Sequence, residues 1–420
     1  SYATGKIYAG LYPYIKNWCK ENNVHIVDGT KIKEKKVDDS KIDDLIKALK
    51  LPYEVRDYQR EAFKYSVEKD RCLLVSPTAS GKSLIIYLML IYNLLRLKDT
   101  KEDKILVIVP TTSLVEQLFK DFKVIISTWQ SVYNLPKKWF NQFGMIIGDE
   151  AHLFKAMSLT KLMTKLERCK YRVGLTGTLD GTKTHKLVLE GLFGTVNKVV
   201  STSELMQSGR LADLKIMCLI LQHDQTARHF LKGKSYQEEM DYLVSNEKRN
   251  KYIRNLATSL NGNTLCLFQY VEKHGKNLYE TIRERATDKQ VFYVHGGVDA
   301  EQREKIREIT EKSDNAIIVA SYGTFSTGIN IRNLHNIVFA SPSKSRIRNL
   351  QSIGRGLRLK DDNSAATLYD IADDISYNGK ENYTLQHFKE RINIYNGEDF
   401  NYEIHNVELS NGSKNTTKSD

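Results

Sequence analysis

The chain has 420 residues, 41% of them hydrophobic and 27% charged, with a formal net charge of +12. These are the proportions of a folded soluble protein with room for about three domains, and no run of roughly 18 apolar residues marks a transmembrane helix. The positive balance favours a polyanionic partner such as nucleic acid, although a solvated basic surface carries the same charge.

The start, "SYATGKIYAG", lacks the basic-then-apolar order of a signal peptide and lacks Met, so a trimmed chain or a fragment is expected. Residues 6–22 read as a helix interrupted near Pro13, and "VHIVD" (24–28) reads as a strand. The charged stretch 29–41 reads as a linker, and a short helix is expected around 41–49. From there to about residue 200, apolar runs alternate with helical stretches: "CLLVS" (72–76), "KILVIV" (104–109), "KVIIST" (123–128), "GMIIGD" (144–149) and "YRVGLT" (171–176). Continuous apolar runs of this length are those of buried parallel strands. The pattern restarts after a polar, Lys-rich middle (222–252) with "TLCLFQ" (264–269), "QVFYVH" (290–295), "NAIIVAS" (315–321), "NIVFAS" (336–341) and "ATLYDI" (366–371). The expected fold class is α/β, two tandem doubly wound lobes at 51–200 and 201–409. A small N-terminal remnant (1–50) precedes them and a disordered tail (410–420) follows. The five cysteines (Cys19, Cys72, Cys169, Cys218, Cys266) form no C-x-x-C pair and read as buried free thiols of a reducing compartment.

Three motifs carry chemistry. "SPTASGKS", Ser76 to Ser83, lies between an apolar run and a helical one. Gly81 lets the backbone turn close to phosphates, Lys82 reaches their oxygens, and the Ser83 hydroxyl suits Mg²⁺. Ser76 departs from the usual first glycine. "MIIGDEAH" delivers Asp149 and Glu150 at the end of a strand, where one carboxylate holds Mg²⁺ and the other polarises the attacking water. Alone, such a pair also fits an ordinary acidic strand end. "QSIGRGLR" places Arg355 and Arg358 one helical turn apart, able to meet one anion together. A solvated basic face has the same spacing.

Seven segments in order, these three with "VPTTSLVEQ" (109–117), "STWQS" (127–131), "TGT" (176–178) and "SYGTFSTGIN" (321–330), resemble the superfamily 2 helicases. Other stretches resemble a bacteriophage branch of that superfamily, from about residue 5 to 409, without most of its small N-terminal domain. The resemblance implies RecA-like lobes, ATP and Mg²⁺ as cofactors, and roles residue by residue. Gln59 reads adenine, with Arg56 nearby. Thr78, Ser80, Gly81, Lys82 and Ser83 hold phosphates and metal, and Asp149 and Glu150 hydrolyse. His152, Thr176 and Thr178 couple hydrolysis to movement. Gly328 and Asn330 meet nucleotide from the second lobe, and Arg355 and Arg358 act as arginine fingers. Backbone contacts to DNA are implied for Thr111, Thr112, Thr128, Gln130, Ser321 and Thr324, whose hydroxyls and amides suit phosphate without reading sequence. The implied partner is branched DNA, including RNA–DNA loops, engaged by a monomer in the host cytoplasm during recombination, replication and repair. An RNA helicase, or an ATPase switch that does not unwind, is the alternative. One departure stands out. The family has a further strand and helix where Phe122 here runs into "KVIIST", so a break near residues 121–124 is expected; unbroken Cα spacing of about 3.8 Å would exclude it.

Overall fold

In a computed structural model of the protein, the apolar runs of the first half become β1 (Arg71–Val75), β2 (Lys104–Val109), β3 (Val124–Thr128), β4 (Phe143–Gly148) and β5 (Tyr171–Thr176). With β6 (Val196–Lys198) they form one sheet in the order β3-β2-β4-β5-β1-β6, every ladder parallel. The structure describes residues 5–27, 35–77, 80–96, 104–109, 124–155, 157–179, 182–211, 213–324, 331, 333–342 and 365–409.

Strand side chains alternate between faces, and here both faces are covered. Cys72, Leu74, Ile105, Val107, Met145 and Ile147 pack with Phe63 and Val67 of the helix Asp57–Lys69 and Ile85 and Met89 of the helix Lys82–Arg96. Leu73, Leu106, Ile108 and Ile146 pack on the other face with Leu162 of the helix Met157–Lys165 and Leu189 of the helix Lys183–Leu192. This alternation explains why each strand reads as uninterrupted apolar sequence.

The second half builds a seven-stranded sheet, again with all ladders parallel. Its strands are β7 (Leu214–Gln222), β8 (Thr264–Phe268), β9 (Gln290–Val294), β10 (Ala316–Ser321), β11 (Asn336–Phe339), β12 (Ala366–Asp374) and β13 (Tyr402–Glu408), in the order β13-β7-β12-β11-β8-β10-β9. The helices Glu247–Ser259 and Lys276–Arg285 cover one face. The helix Tyr383–Gly397 is anchored to the other through Arg391, buried against Asp370 of β12. The chain divides into two compact units, Ser1–Ser201 and Thr202–Asp420, each an α/β lobe of RecA-like type.

Two expectations are corrected near the N-terminus. Residues 24–27 are not a strand: Val24 N–H closes back on Cys19 O and Val27 is 84% exposed, so among the described residues this apolar run has no pairing strand. Pro13 does not interrupt a helix. It sits in the first turn of the helix Tyr12–Glu21, after a short 3₁₀ turn at Ala9–Leu11, where its missing N–H costs nothing. Gly10 is pressed so closely on the Glu190 carbonyl that a Cβ would lie 1.8 Å from its oxygen. Strands β6, β7 and β13 were not anticipated. The expected break near 121–124 falls mainly on residues outside those described. All five cysteines are buried and unpaired. Among the described residues no helix is long and apolar enough to cross a membrane.

Candidate active site

In parallel α/β sheets ligands are bound beyond the carboxyl ends of the strands. The phosphate-loop sequence follows β1, the acidic pair follows β4, and Thr176 ends β5, which lies between them. Three segments separated by up to a hundred residues therefore meet at one edge.

Gly81 has φ +80°, and the helix Lys82–Arg96 opens at the next residue. The free N–H groups of that first turn, with the positive end of the helix dipole, suit an anion. Lys82 Nζ donates to the carbonyls of Ser76 (3.2 Å) and Pro77 (3.3 Å), folded back across the loop. Ser76, which replaces the customary glycine, is fully buried. Its Oγ donates to Ser80 Oγ at 2.6 Å, because the Ser80 hydroxyl is itself given to Pro77 O at 2.7 Å. The departure from the motif thus serves to brace the loop. Ser83 is exposed in the first turn of the helix.

The loop is also held from outside. Gln59 is buried, donates from Nε2 to Ser80 O at 2.8 Å, and accepts the Arg56 N–H at 3.1 Å. Tyr58 donates its hydroxyl to the same Ser80 carbonyl at 3.1 Å and accepts from Arg56 Nη1 at 2.8 Å. Tyr58 was not anticipated; nothing local distinguishes it, since its partner lies 22 positions away. A Cβ on Gly81 would fall 2.3 Å from Gln59 Nε2 and would need the left-handed backbone. Gly81→Ala is therefore expected to raise the Michaelis constant for ATP about tenfold or more, the equivalent of a residue forced into the left-handed region. Steady-state phosphate release against ATP concentration checks this, and an unchanged constant would remove the loop from nucleotide binding.

At the end of β4 the Asp149 N–H still pairs with Ile108 O (2.9 Å), so the strand delivers Asp149 in register. Asp149 Oδ1 accepts the Glu150 N–H at 2.9 Å. Burial pushes the Asp149 carboxyl up to about 6, with the neighbouring Glu150 charge adding to it and Lys82 opposing it. Glu150 has φ +48°, a conformation costly for a side chain with a Cβ and found where function requires it. Its carboxylate lies 3.3 Å from His152 Nδ1, and the same nitrogen lies 3.0 Å from Thr176 Oγ1. The Thr176 hydroxyl continues to Thr178 O at 2.9 Å, and the Thr176 carbonyl accepts the Ser76 N–H at 2.9 Å. A second histidine, His185, reaches the His152 carbonyl at 3.2 Å. The phosphate loop, the "TGT" turn and His152 are thus joined by hydrogen bonds, with the Glu150 carboxylate 3.3 Å from the His152 ring.

The remaining predicted residues divide by position. Thr128, at the end of β3, caps the turn after it, with Oγ1 2.9 Å from Ser131 Oγ, while Gln130 is exposed. In the second unit, Ser321 ends β10 and donates to Thr324 Oγ1 at 2.8 Å; both are buried in that turn. Thr78, Thr111, Thr112, Gly328, Asn330, Arg355 and Arg358 lie outside the described residues.

Parallel RecA-like lobes, a phosphate loop and an acidic strand end joined to a "TGT" turn define an ATP-hydrolysing helicase of superfamily 2. Comparison with known proteins agrees. Residues 56–135 match the DEAD/DEAH box helicase family, residues 247–360 the helicase conserved C-terminal domain, and residues 119–181 the res subunit of type III restriction enzymes. The chain is 37% identical over 393 residues to the ATP-dependent DNA helicase uvsW of Enterobacteria phage T4, spanning 84% of this chain and 77% of that protein. It is 24% identical over 385 residues to the DNA 3'-5' translocase XPB2 of Sulfurisphaera tokodaii, spanning 78% and 84% respectively. The ATP-dependent type ISP restriction-modification enzyme LlaBIII bound to DNA shares the fold, with a TM-score of 0.61 at 17% identity over 86% of this chain and 32% of that one. The chain belongs to the UvsW-like DNA helicases of superfamily 2.

Proposed function

We propose that this helicase couples ATP hydrolysis to the remodelling of branched DNA, namely forks, four-way junctions and RNA–DNA loops, in recombination, replication and repair. The catalytic part rests on one observation above all: His152 Nδ1 stands 3.3 Å from the Glu150 carboxylate and 3.0 Å from the Thr176 hydroxyl. In this reading Lys82 and the loop N–H groups hold the phosphates, and Gln59 with Arg56 holds the base. Glu150 orients the attacking water, and Arg355 and Arg358 complete the charge in the transition state. Ser83 and Asp149 present oxygen donors of the kind Mg²⁺ takes. They would hold that ion, whose charge would offset the charge on the phosphates. His152, Thr176 and Thr178 carry the state of the acid to the neighbouring strand ends. Residues 51–200 act as the nucleotide lobe and 201–409 as its mobile partner, in a monomer working in the cytoplasm of a bacterial host.

The substrate part is supported by the resemblance of the motifs to helicases of branched DNA and by the net charge of +12, which suits salt-sensitive backbone contact. Thr111, Thr112, Gln130 and the turns at Thr128 and Ser321–Thr324 are the proposed contacts. The test is a strand-displacement assay at fixed salt with four substrates: a mobile four-way junction, a fork, a tailed duplex and an RNA duplex. The expected order puts junction and fork first and the tailed duplex below them. Preference for the RNA duplex would leave an RNA helicase instead.

A further inference from the structure

We propose that His274 is a positioning residue for ATP hydrolysis: through Ser341 it holds together the ends of three adjacent strands from which the second lobe's nucleotide-facing segments depart. The inference rests on the functional reading above for what those segments do. The geometry is independent of it.

Between β8 and the helix Lys276–Arg285 the chain makes one turn of π-helix, Val271–Gly275. Such turns are rare and frequent at functional sites. This one is tightly seated, since a Cβ on Gly275 would lie 2.4 Å from the Phe268 ring. It buries His274 completely. The imidazole lies 3.1 Å from Asn250 Oδ1 on one side and 2.9 Å from Ser341 Oγ on the other.

The direction of each bond follows by elimination. The Asn250 amide nitrogen donates to Val244 O at 2.9 Å, so its oxygen faces the histidine. An oxygen there requires the proton on Nε2, which leaves Nδ1 as an acceptor in a neutral ring. Neutrality is enforced: burial, with the Arg249 charge beside it, pushes His274 down to about 3. The Ser341 hydroxyl therefore donates to Nδ1, and its oxygen accepts the Gln269 N–H at 3.1 Å. The Ser341 carbonyl accepts the Tyr322 hydroxyl at 3.1 Å.

Gln269 follows β8, Tyr322 follows β10 and Ser341 follows β11, and these three strands are neighbours in the order β11-β8-β10. All three groups stand at the carboxyl edge, where ligands of such sheets bind. The segment carrying Gly328 and Asn330 begins just beyond Tyr322, and the one carrying Arg355 and Arg358 begins just beyond Ser341. One neutral imidazole thus braces the strand ends that precede both in the chain.

The experiment measures DNA-stimulated ATP turnover at saturating ATP and DNA, with the melting temperature of each variant beside it. His274→Leu and Ser341→Ala are each expected to lower kcat about tenfold, the size of one well-placed hydrogen bond, with KM for ATP within about twofold because the loop at Lys82 is untouched. The double variant is expected to be no worse than either single one. The conservative replacements separate positioning from packing. Asn places its oxygen where Nδ1 was and is expected to keep most of kcat. Gln places its nitrogen where Nε2 was, keeps only the Asn250 bond, and is expected to fall with Leu. Normal kcat in Ser341→Ala, or His274→Asn as slow as His274→Leu, would overturn the proposal. If His274→Leu does not fold, Ser341→Ala and His274→Asn decide alone. Loss of turnover in Glu150→Gln with normal kcat in these variants would sink this inference and leave the functional reading standing.

Discussion

Glu150→Gln is expected to bind ATP with near-normal affinity and to hydrolyse it about a thousandfold more slowly. The amide matches the carboxylate in shape, so the left-handed backbone at φ +48° and the bond from Glu150 N–H to Asp149 are kept. What is lost is a negative oxygen able to polarise water, and general-base assistance of this kind is worth about 10²- to 10⁴-fold. The phosphate loop is braced by Gln59, Tyr58 and Ser76 through bonds that the Glu150→Gln change leaves in place, so binding has no reason to weaken. Titration with a fluorescent ATP analogue and steady-state phosphate release, with and without DNA, separate the two effects. Turnover within a few-fold of the parent would remove Glu150 from the hydrolytic role. Weak nucleotide binding with intact turnover per bound ATP would move it to the binding site instead.

Arg391→Met is expected to destabilise the second lobe by about 3–5 kcal/mol, the cost of leaving one partner of a buried ion pair behind. Arg391 and Asp370 are 1% and 0% exposed. Arg391 Nε donates to both Asp370 oxygens at 3.0 and 2.8 Å, and the Tyr395 hydroxyl adds a bond at 2.7 Å. Without the guanidinium, a carboxylate in the middle of β12 keeps, among the described residues, only the tyrosine bond. Against a typical domain stability of about 5–15 kcal/mol, that is a large fraction. The three tryptophans, Trp18, Trp129 and Trp139, all lie in the first unit. Urea unfolding followed by circular dichroism should therefore show an early transition that tryptophan fluorescence does not. Pairing Arg391→Met with Asp370→Leu should restore most of the loss, because an apolar pair of similar volume avoids the unpaired charge. Coincident transitions in the single variant, or a double variant worse than the single, would show that the pair is not what holds the helix Tyr383–Gly397 to the sheet.

Much of this molecule is written locally. Parallel strands covered on both faces are apolar along most of their length, so ten of the thirteen strands among the described residues announce themselves as continuous runs. The phosphate loop is equally legible, because Gly81, Lys82 and Ser83 act through their own backbone and the helix that follows. Two of the exceptions have physical causes. β13, "YEIHNVE", mixes polar with apolar residues because it pairs on one side only, at the sheet edge, and all of it is at least partly exposed. The apolar residues at 24–27 failed as a strand because burial requires a partner and, among the described residues, none pairs with them. What the tertiary structure alone decided is which distant polar groups meet: Tyr58 with Ser80, His152 with Thr176, and His274 with Ser341 across 67 positions. A hydrogen bond depends on where two groups end up in space to within a few tenths of an ångström. Residue spacing along the chain carries that information only within a turn of helix or a strand pair.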